Sequence, residues 1–573
     1  MKKLLARMVG FAKQNPIIVS LIILAGFLHL IIIFPSGSYY CFNNVCGHYF
    51  WGVHEHDGIW HLAVAETAFK MFPPQNPAYS GVSLSGYNSF LDFILYVLGK
   101  IDISPLVSYF KILPIVWFVG FTYFSLKLSN KWSKNPSFRF IFLFLNYFGA
   151  SFSFLIPLIK EGIMMGASSV LSMQAILSLT NLQLAYSYIF LLWIINLLFE
   201  KKVTNRIVFL FCVFLFIQWG LKFYTGVISS IIVGTFFMIR IVRLKKWRDF
   251  VSIGLFALSS VVSIFVNYNP LGGKTSVGSV LIFKPLELIW PLIEDRGLFY
   301  SEYWANAKYI YLASSNISMR FIIFCMFLVA LFIFLNFGMR LLGFVSLLQS
   351  QFRKEDEDIH KTLGMAVLIG ILFPIFFIQK GMWWNTIQFL FPIYLILNIY
   401  TADFISGLKN NLLRNIIVAF TIIVSLPYLF DGLKGYVVFP GKIVLTQNEL
   451  DALGYLRQLP YGTVYAPIYK QRDDLDTAAV NPLFNHVDSA YVSAYTGKQT
   501  LYANYVQLLL LNVEYMQRKQ EIEKGNCRVL ANIKYIYLHS SQMNDLLFKK
   551  CIYKNKEYKK LFNNSSATVY SKI

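Results

Sequence analysis

The chain has 573 residues, of which 56% are hydrophobic and only 14% charged, and its mean hydropathy is +0.55. Soluble domains carry about 25% charged residues, so this composition excludes an ordinary soluble protein and indicates a polytopic membrane protein. The net charge is +22, but the basic residues stand in short stretches between apolar segments, which favours cytoplasmic loops over a nucleic-acid-binding face.

The first apolar segment runs from about Ile17 to Phe34 and follows the basic start MKKLLARMVGFAKQNP. Its length is close to the ~20 residues that cross a bilayer, and no small-residue cleavage site follows it. We therefore predict an uncleaved anchor with its N-terminus inside the cell. Five basic loops are predicted to be cytoplasmic as well: 127–139, 200–206, 240–248, 351–361 and 409–415.

Ten further apolar segments bring the prediction to about eleven transmembrane helices. They are 105–127, 138–158, 183–199, 206–219, 225–241, 249–267, 320–341, 362–379, 384–401 and 412–430. Segment 89–101 has about 13 residues, which is short for a span, so we predict a juxtamembrane or re-entrant helix there. The fold class is thus a polytopic α-helical membrane protein.

An odd number of spans places the outer loops 35–104 and 268–319 and the C-terminal region outside the cell. We divide the chain into a transmembrane module, 1–440, and an extracytoplasmic domain, 441–573. Strand patterns alternate with a helix pattern in this domain, which predicts a small α/β fold. The predicted strands are 462–468, 491–497, 534–540 and 567–573, and the predicted helix is 504–524.

Four cysteines lie in these outer regions. An even number of cysteines in an oxidising space is typical of disulfides, and the pairs Cys41–Cys46 and Cys527–Cys551 are plausible bridges. The alternative is four free thiols. The other two cysteines, Cys212 and Cys325, fall inside predicted spans.

Titratable side chains gather in HEHDGIWHLAVAE, residues 54–66, directly after the first span. The pattern predicts a helix from about Gly58 to Met71 on the outer membrane surface, with Asp57 at its start and His61 one turn later. A carboxylate beside imidazoles at this depth is suited to accept a proton from a hydroxyl, and apolar surroundings raise its pKa towards working pH.

Each of these residues also has a plainer interpretation. Asp is a favoured N-cap, a role that is compatible with catalysis by Asp57 because one carboxylate oxygen stays available. The three histidines, His54, His56 and His61, are equally typical of a surface or an interface. Their spacing matches no standard metal motif, so we assign no metal ligand, although a divalent cation remains compatible with the sequence.

The anchor, the acidic outer loop with its helix, and the following FPPQNPAYSG resemble integral-membrane glycosyltransferases of the GT-C superfamily. This class includes protein mannosyltransferases, oligosaccharyltransferases and aminoarabinose transferases. The resemblance implies a polyprenyl-phosphate-linked sugar donor and an acidic catalytic base in the first outer loop. Asp57 maps onto that base, with Glu55 as the fallback. The two-acid signature of mannosyltransferases and the Asp-x-Asp of oligosaccharyltransferases are absent from the loops next to spans; RDDLD, 472–476, lies in the C-terminal domain.

Basic and polar residues near the predicted outer boundary are candidates for substrate binding. Lys222 is either a phosphate ligand or an interfacial anchor. Lys160 is either a phosphate ligand or one half of an ion pair with Glu161. Arg296 is a further candidate phosphate ligand, although Glu294 and Asp295 are expected to neutralise its charge. A further group is suited to the aromatic belt or to sugar binding and comprises Trp384, Asn385 and Gln388.

We therefore predict an inverting glycosyltransferase that moves a sugar from a polyprenyl-phosphate donor to a glycan, lipid or protein acceptor on the outer face. Asp57 is the base, and His54, Glu55, His56 and His61 shape its site. No nucleotide-binding loop is present. The alternatives are a transporter or flippase of a lipid-linked glycan, which would concentrate ionisable groups inside spans, and a membrane-anchored binding protein.

Overall fold

The structure is a computed structural model, and it describes most of the chain. The described residues are 10, 13–164, 173–200, 202–270, 281–314, 318–353, 357–380, 382–439, 441, 443–468, 480–486, 488–553, 555 and 557–573.

Helices dominate the described part of the chain. In chain order they are α1 (Pro16–Ile33), α2 (Asp57–Thr67), α3 (Phe90–Lys100), α4 (Pro105–Trp132), α5 (Pro136–Phe148), α6 (Leu155–Glu161), α7 (Leu182–Leu198), α8 (Asn205–Leu221), α9 (Phe223–Leu244), α10 (Trp247–Tyr268), α11 (Pro291–Glu294), α12 (Glu302–Ala313), α13 (Met319–Ser350), α14 (Glu357–Phe376), α15 (Trp383–Ser406), α16 (Asn411–Val437), α17 (Gln447–Gln458), α18 (Tyr491–Thr496), α19 (Tyr505–Leu510), α20 (Met516–Glu523) and α21 (Leu546–Cys551).

The predicted class, a polytopic α-helical membrane protein, is confirmed, whereas the predicted number of about eleven spans is not. Among the described residues, eight helices are long and apolar enough to cross a bilayer: α1, α4, α9, α10, α13, α14, α15 and α16. Two shorter apolar helices, α7 and α8, coincide with the predicted spans 183–199 and 206–219. Helix α3 has 11 residues, in keeping with the expectation that segment 89–101 is too short to span.

The predicted span 138–158 is not one continuous helix. Helix α5 ends at Phe148, and α6 begins only at Leu155. The carbonyl oxygens of Gly149 and Ala150 accept hydrogen bonds from the buried guanidinium of Arg340. These carbonyls are therefore drawn out of a helical ladder, which explains the break.

The chain divides into two compact units. We call one the helical unit; it comprises Met1–Ile32, Val116–Val261 and Ser279–Lys434. We call the other the mixed unit; it comprises Ile33–Ile115, Val262–Gly278 and Gly435–Ile573. The mixed unit is larger than the predicted domain 441–573 because the first outer loop folds together with the C-terminal region.

Two four-stranded sheets organise the mixed unit. The first has the order β1 (Ser38–Phe42), β2 (Val45–Phe50), β5 (Ile443–Thr446), β7 (Asn481–Pro482). The second has the order β6 (Val464–Tyr465), β8 (Tyr535–His539), β10 (Ala567–Lys572), β9 (Tyr558–Asn563). In the first sheet β2 pairs antiparallel with β5, and β5 pairs parallel with β7. Strands from the outer loop and from the C-terminal region therefore share one sheet. The helical unit holds a two-stranded sheet, β3 (Leu281–Phe283) with β4 (Phe377–Gln379).

Helix α2 does not have the exposed surface that an interfacial helix needs. Nearly every residue from Gly58 to Thr67 is buried, and the helix packs against α3 and α18. The prediction of a helix on the membrane surface is therefore wrong, although the predicted start near Gly58 is confirmed. Its apolar stripe and its small residues face protein on all sides, as in a core helix.

The predicted elements of the C-terminal region are partly correct. Strands β6, β8 and β10 lie within three of the four predicted strand segments. Segment 491–497 is instead the buried helix α18, which Gly497 ends in a left-handed conformation with φ +64°. The aromatic and β-branched residues there suggested a strand, but burial against α2 overrides that preference. The predicted helix 504–524 is two helices, α19 and α20.

Both predicted disulfides are confirmed. Cys41 is bonded to Cys46 across the β1–β2 hairpin, and Cys527 is bonded to Cys551. Cys212 and Cys325 are free, as expected for residues within apolar helices.

Candidate functional site

The acidic stretch of the first outer loop lies where strand β2 leads into helix α2. A short 3₁₀ turn, Gly52–Glu55, is followed by His56, and α2 begins at Asp57. His56 precedes the helix, and no side chain caps it, so Asp57 is not the N-cap. A carboxylate in the first turn is nevertheless favoured by the helix dipole.

Asp57 forms an ion pair with its neighbour. His56 Nδ1 lies 3.2 Å from Asp57 Oδ1, and the two side chains are 31% and 33% exposed. Burial lowers the pKa of His56, but its hydrogen bond to Asp57 and the surrounding carboxylates more than offset this, so the pKa rises to about 9. At neutral pH His56 is therefore an imidazolium that lies beside the carboxyl group of Asp57.

Glu55 differs from Asp57 in its surroundings. Burial raises the pKa of the Glu55 carboxyl to about 7; the charges of Asp488 and Asp57 add to the rise, and that of His56 opposes it. The Oε2 atom of Glu55 is buried and has no hydrogen-bond partner within the described residues. A carboxyl with a pKa near 7 is well matched to proton transfer at neutral pH.

A segment of the C-terminal region belongs to the same electrostatic cluster. Asp488 influences the pKa of both Glu55 and His56. Burial lowers the pKa of His486, the charge of Asp488 raises it, and the charge of His56 lowers it further. The stretch NHVDS, residues 485–489, contains no recognisable motif. The sequence therefore did not predict that His486 and Asp488 belong to the site.

His54 is placed in the core. Its side chain is fully buried, its Nδ1 lies 2.8 Å from Ser36 Oγ, and its ring contacts Phe110 and Tyr436. Ser36 Oγ also accepts the backbone N–H of Trp51 at 3.1 Å. These contacts hold the turn that leads to Glu55, so His54 stabilises the backbone next to the site.

His61 bonds to a carboxylate on the neighbouring helix. Its Nδ1 lies 2.9 Å from Asp92 Oδ1 on α3 and 3.1 Å from the Tyr87 hydroxyl, and its ring stacks on Tyr109. His61 is 3% exposed and Asp92 is fully buried. The pair links α2 to α3. Asp92 was not predicted, because segment 89–101 was considered only as a possible membrane span.

The motif FPPQNPAYSG has a structural role that its sequence did not reveal. Its backbone pairs with the C-terminal region: Thr500 N bonds to Pro77 O at 3.0 Å, and Ser80 N bonds to Thr500 O at 3.0 Å. The Ser493 hydroxyl donates to Pro77 O at 2.8 Å. The motif thus holds the outer loop and the C-terminal region together.

Two of the predicted phosphate ligands come together in the helical unit. Lys160, at the end of α6, donates from Nζ to the backbone carbonyl oxygen of Arg296, and both side chains are exposed. Glu294 is paired with Lys308 at 2.7 Å, and Asp295 accepts the Gly297 N–H at 2.7 Å. Neither acid forms an ion pair with Arg296 within the described residues, and their neutralising effect on Arg296 stays a prediction. The ion pairs of the described residues include neither cation.

Lys222 occupies the predicted turn between two apolar helices. It ends α8 and precedes α9 with an extended backbone, and its side chain is half-buried. Its backbone carbonyl accepts the Gly226 N–H at 2.9 Å and the Thr225 hydroxyl at 3.0 Å. The turn is thus held by its own backbone.

The predicted sugar ligands at the start of α15 use their amides within the protein. Asn385 Nδ2 donates to Gln379 Oε1 at 2.7 Å, and Gln388 Nε2 donates to Asn385 Oδ1. The Tyr224 hydroxyl donates to the same Gln379 oxygen at 2.8 Å. Trp384 is 43% exposed, as a belt residue would be. Asn385 and Gln388 therefore support the helix start.

Within the described residues, no group of three or more histidine, cysteine, aspartate or glutamate side chains is placed to hold a metal ion. The candidate Asp474-Leu475-Asp476 of RDDLD lies outside the described residues.

One further charged residue was missed. Arg340 is 1% exposed inside the candidate span α13. Its guanidinium donates to Asn398 Oδ1 at 2.8 Å, Gln174 Oε1 at 2.7 Å, Gly149 O at 2.9 Å and Ala150 O at 3.4 Å. It also lies over the Tyr394 ring at 4.6 Å. A charge within an apolar run was the signal that could have identified it.

No family model and no curated protein matches this sequence. Solved structures resemble the chain. The apo oligosaccharyltransferase of Archaeoglobus fulgidus is 12% identical over 97% of this chain and 74% of its own, with a TM-score of 0.47. Arabinofuranosyltransferase AftD from Mycobacteria is 11% identical over 97% and 40%, with a TM-score of 0.46. ArnT from Cupriavidus metallidurans bound to undecaprenyl phosphate is 9% identical over 98% of both chains, with a TM-score of 0.44.

Proposed function

We propose that the protein is a membrane glycosyltransferase that moves a sugar from a polyprenyl-phosphate donor to a hydroxyl-bearing acceptor on the outer face, with inversion at the anomeric carbon. The observation that carries the proposal is the ion pair of Asp57 with His56 beside Glu55, whose pKa is about 7. Such a group is equipped for proton transfer, and it lies in the first loop after a membrane anchor.

In the proposed reaction Asp57 acts as the general base. Its carboxylate takes the proton of the acceptor hydroxyl while that oxygen attacks the anomeric carbon and the bond from this carbon to the phosphate oxygen breaks. Protonated His56 holds one carboxylate oxygen, and a carboxylate has acceptor capacity beyond one bond. Glu55 is the alternative base, because a carboxyl group with a pKa of about 7 is well matched to proton transfer at neutral pH.

The leaving polyprenyl phosphate carries negative charge that needs cations. Lys160 and Arg296 are suited to this task because their segments are in contact, both side chains are exposed, and the neighbouring acids are bonded elsewhere. Arg296 also lies against the Tyr300 ring at 5.8 Å, which restricts its side chain. We assign Lys222 the same class of role at the turn between α8 and α9. The two disulfides support an outer location for the mixed unit, since such bonds persist in oxidising compartments.

The transporter alternative predicted ionisable groups inside spans. Arg340 is such a group, but its guanidinium donates four hydrogen bonds to protein oxygens, which favours a structural role. We therefore retain the glycosyltransferase as the proposal.

Purification in native lipid followed by mass spectrometry of the bound lipids tests the donor class. We expect a polyprenyl-phosphate species, and the double variant Lys160→Ala/Arg296→Ala should lose it by roughly tenfold or more, because a hydrogen bond to a charged group contributes about 1.5–3 kcal/mol. The matched control is Lys409→Ala/Arg206→Ala, which removes two exposed cations from predicted cytoplasmic loops. Equal lipid retention in both double variants contradicts the phosphate assignment.

A further inference from the structure

The segment between β7 and α18 contains polar side chains that the proposed reaction has not used. They are His486, Asp488 and Ser489. Strand β7 lies in the same sheet as β2, and β2 leads directly into the turn that carries Glu55. Helix α18 packs on α2, where the Thr67 hydroxyl donates to Ser493 O at 3.3 Å. The fold thus brings together two segments that lie more than 400 positions apart in the sequence.

The two segments also interact electrostatically. The charge of Asp488 acts on both Glu55 and His56, and the charge of His56 acts on His486. The cluster contains the carboxyl groups of Glu55, Asp57 and Asp488, while His56 is its imidazolium. Its carboxyl groups and its imidazolium can each form charge-assisted hydrogen bonds with a polar ligand.

Three polar atoms of the cluster are buried without a hydrogen-bond partner within the described residues. They are Glu55 Oε2, His486 Nε2 and Ser489 Oγ. Ser489 is 6% exposed. Native proteins leave few buried polar groups unpaired, because each one forfeits its bonds to water. A carboxyl oxygen, an imidazole nitrogen and a hydroxyl group together supply hydrogen-bond acceptors and donors. Sugar hydroxyl groups need both, because each of them can donate one hydrogen bond and accept others.

We propose that His486, Asp488 and Ser489 form, with Glu55, a subsite that binds the hydroxyl groups of a saccharide ring. The proposal rests on the proposed glycosyltransferase function and names a substrate class for the same site. Ser489 and His486 bond to ring hydroxyl groups, and Asp488 acts through its charge on Glu55 and His56, which makes it a positioning residue. A metal ion does not explain the cluster, since no group of three ligating side chains is placed to bind one within the described residues.

A comparison of donor hydrolysis with sugar transfer tests the subsite. Purified protein is given synthetic polyprenyl-phosphate pentoses and hexoses, and release of the sugar to water is compared with its transfer to methyl glycosides. For Ser489→Ala and for His486→Gln we expect a KM for the methyl glycoside about fivefold to tenfold higher, as loss of one hydrogen bond implies. Release to water should stay unchanged in both variants, because the KM for the methyl glycoside reports binding of the acceptor. A parallel fall in release and transfer would contradict an acceptor subsite.

Matched controls are Ser540→Ala and His539→Gln, which change the same residue types elsewhere in the mixed unit. Ser489→Thr keeps the hydroxyl and should restore the KM. Asp488→Asn should shift the pH profile of transfer, an effect that a purely structural residue would not produce. Unchanged kinetics in both Ser489→Ala and His486→Gln would overturn the subsite.

A binding measurement keeps the two proposals separate. If the unmodified protein releases no sugar from any donor, the proposed function fails, and the subsite is then judged by saturation-transfer NMR with the same methyl glycosides. Signal transfer that disappears in Ser489→Ala but persists in Ser540→Ala supports the subsite, whereas equal signals in the two variants overturn it.

Discussion

Two clusters of buried polar side chains differ in how completely their hydrogen bonds are made. In the helical unit, Arg340 donates to Asn398, to Gln174 and to the carbonyl oxygens of the two residues that follow α5. Asn398 donates in turn to Asn146 at 2.9 Å. In the mixed unit, Glu55, His486 and Ser489 each keep a buried polar atom without a partner within the described residues. The first cluster is complete, whereas the second has bonding capacity left for a ligand.

The difference teaches how a charge in an apolar environment should be interpreted. Within the described residues Arg340 forms no ion pair with a carboxylate, and carbonyl and amide oxygens accept the hydrogen bonds of its guanidinium instead. Its burial therefore indicates a structural role. The carboxylates and imidazoles around Asp57 alter one another's pKa values, which is typical of groups that exchange protons.

The largest expected effect concerns the complete cluster. Arg340→Ala leaves the buried acceptors of Asn398, Gln174 and Gly149 without their donor, and should lower the free energy of unfolding by about 3–5 kcal/mol. Thermal unfolding in detergent measures this loss. Arg320→Ala removes an exposed arginine near the start of the same span and should have little effect. Equal unfolding temperatures for the two variants would show that the Arg340 network does not stabilise the fold.

The pH dependence of stability separates the two titrating groups of the incomplete cluster. The pKa of Glu55 is raised to about 7, so its contribution is present below its unfolded value near 4.5 and is lost as pH rises through 7. The pKa of His56 is raised to about 9, so its contribution is present below 6.5 and is lost as pH rises through 9. Glu55→Gln should therefore flatten the stability profile between pH 4.5 and 7, and His56→Gln should flatten it between 6.5 and 9. If both variants keep the dependence of stability on pH that the unmodified protein has, the titration of these two groups is not coupled to folding.

The smallest expected effect compares two buried serines. Ser489→Ala removes a hydroxyl that has no partner within the described residues and should change stability by no more than about 0.5 kcal/mol. Ser493→Ala removes the hydroxyl that donates to Pro77 O at 2.8 Å and should cost about 1–3 kcal/mol. Chemical denaturation of the two variants side by side measures the difference, and an equal cost would remove the distinction between the clusters.

The sequence predicted the membrane helices well because long apolar runs are a local property. Basic loops and apolar segments located the eight long apolar helices of the described chain together with α7 and α8, and the even set of outer cysteines identified both disulfides. The break after Phe148 was not predictable, since it depends on Arg340, which lies almost 200 residues away. The joint fold of the outer loop and the C-terminal region was missed for the same reason.

Only part of the candidate site could be predicted from the sequence. The density of His, Glu and Asp in residues 54–66 marked the cluster, but its separate roles depend on tertiary contacts. His61 turned out to face Asp92, and His54 faces Ser36. The contribution of Asp488 has no local signal, because its significance arises only from its position beside Glu55.

The rate of sugar transfer by Asp57→Asn tests the central claim most directly. General-base catalysis typically contributes ~10²–10⁴-fold, so we expect at least that loss of rate, with binding of the lipid-linked donor retained. Asn keeps the size and polarity of the side chain, so the variant removes mainly the basicity. Glu55→Gln is the matched comparison, and we expect it to retain more activity than Asp57→Asn. Near-normal transfer by Asp57→Asn, together with loss of transfer in Glu55→Gln, would contradict the account and assign the base to Glu55.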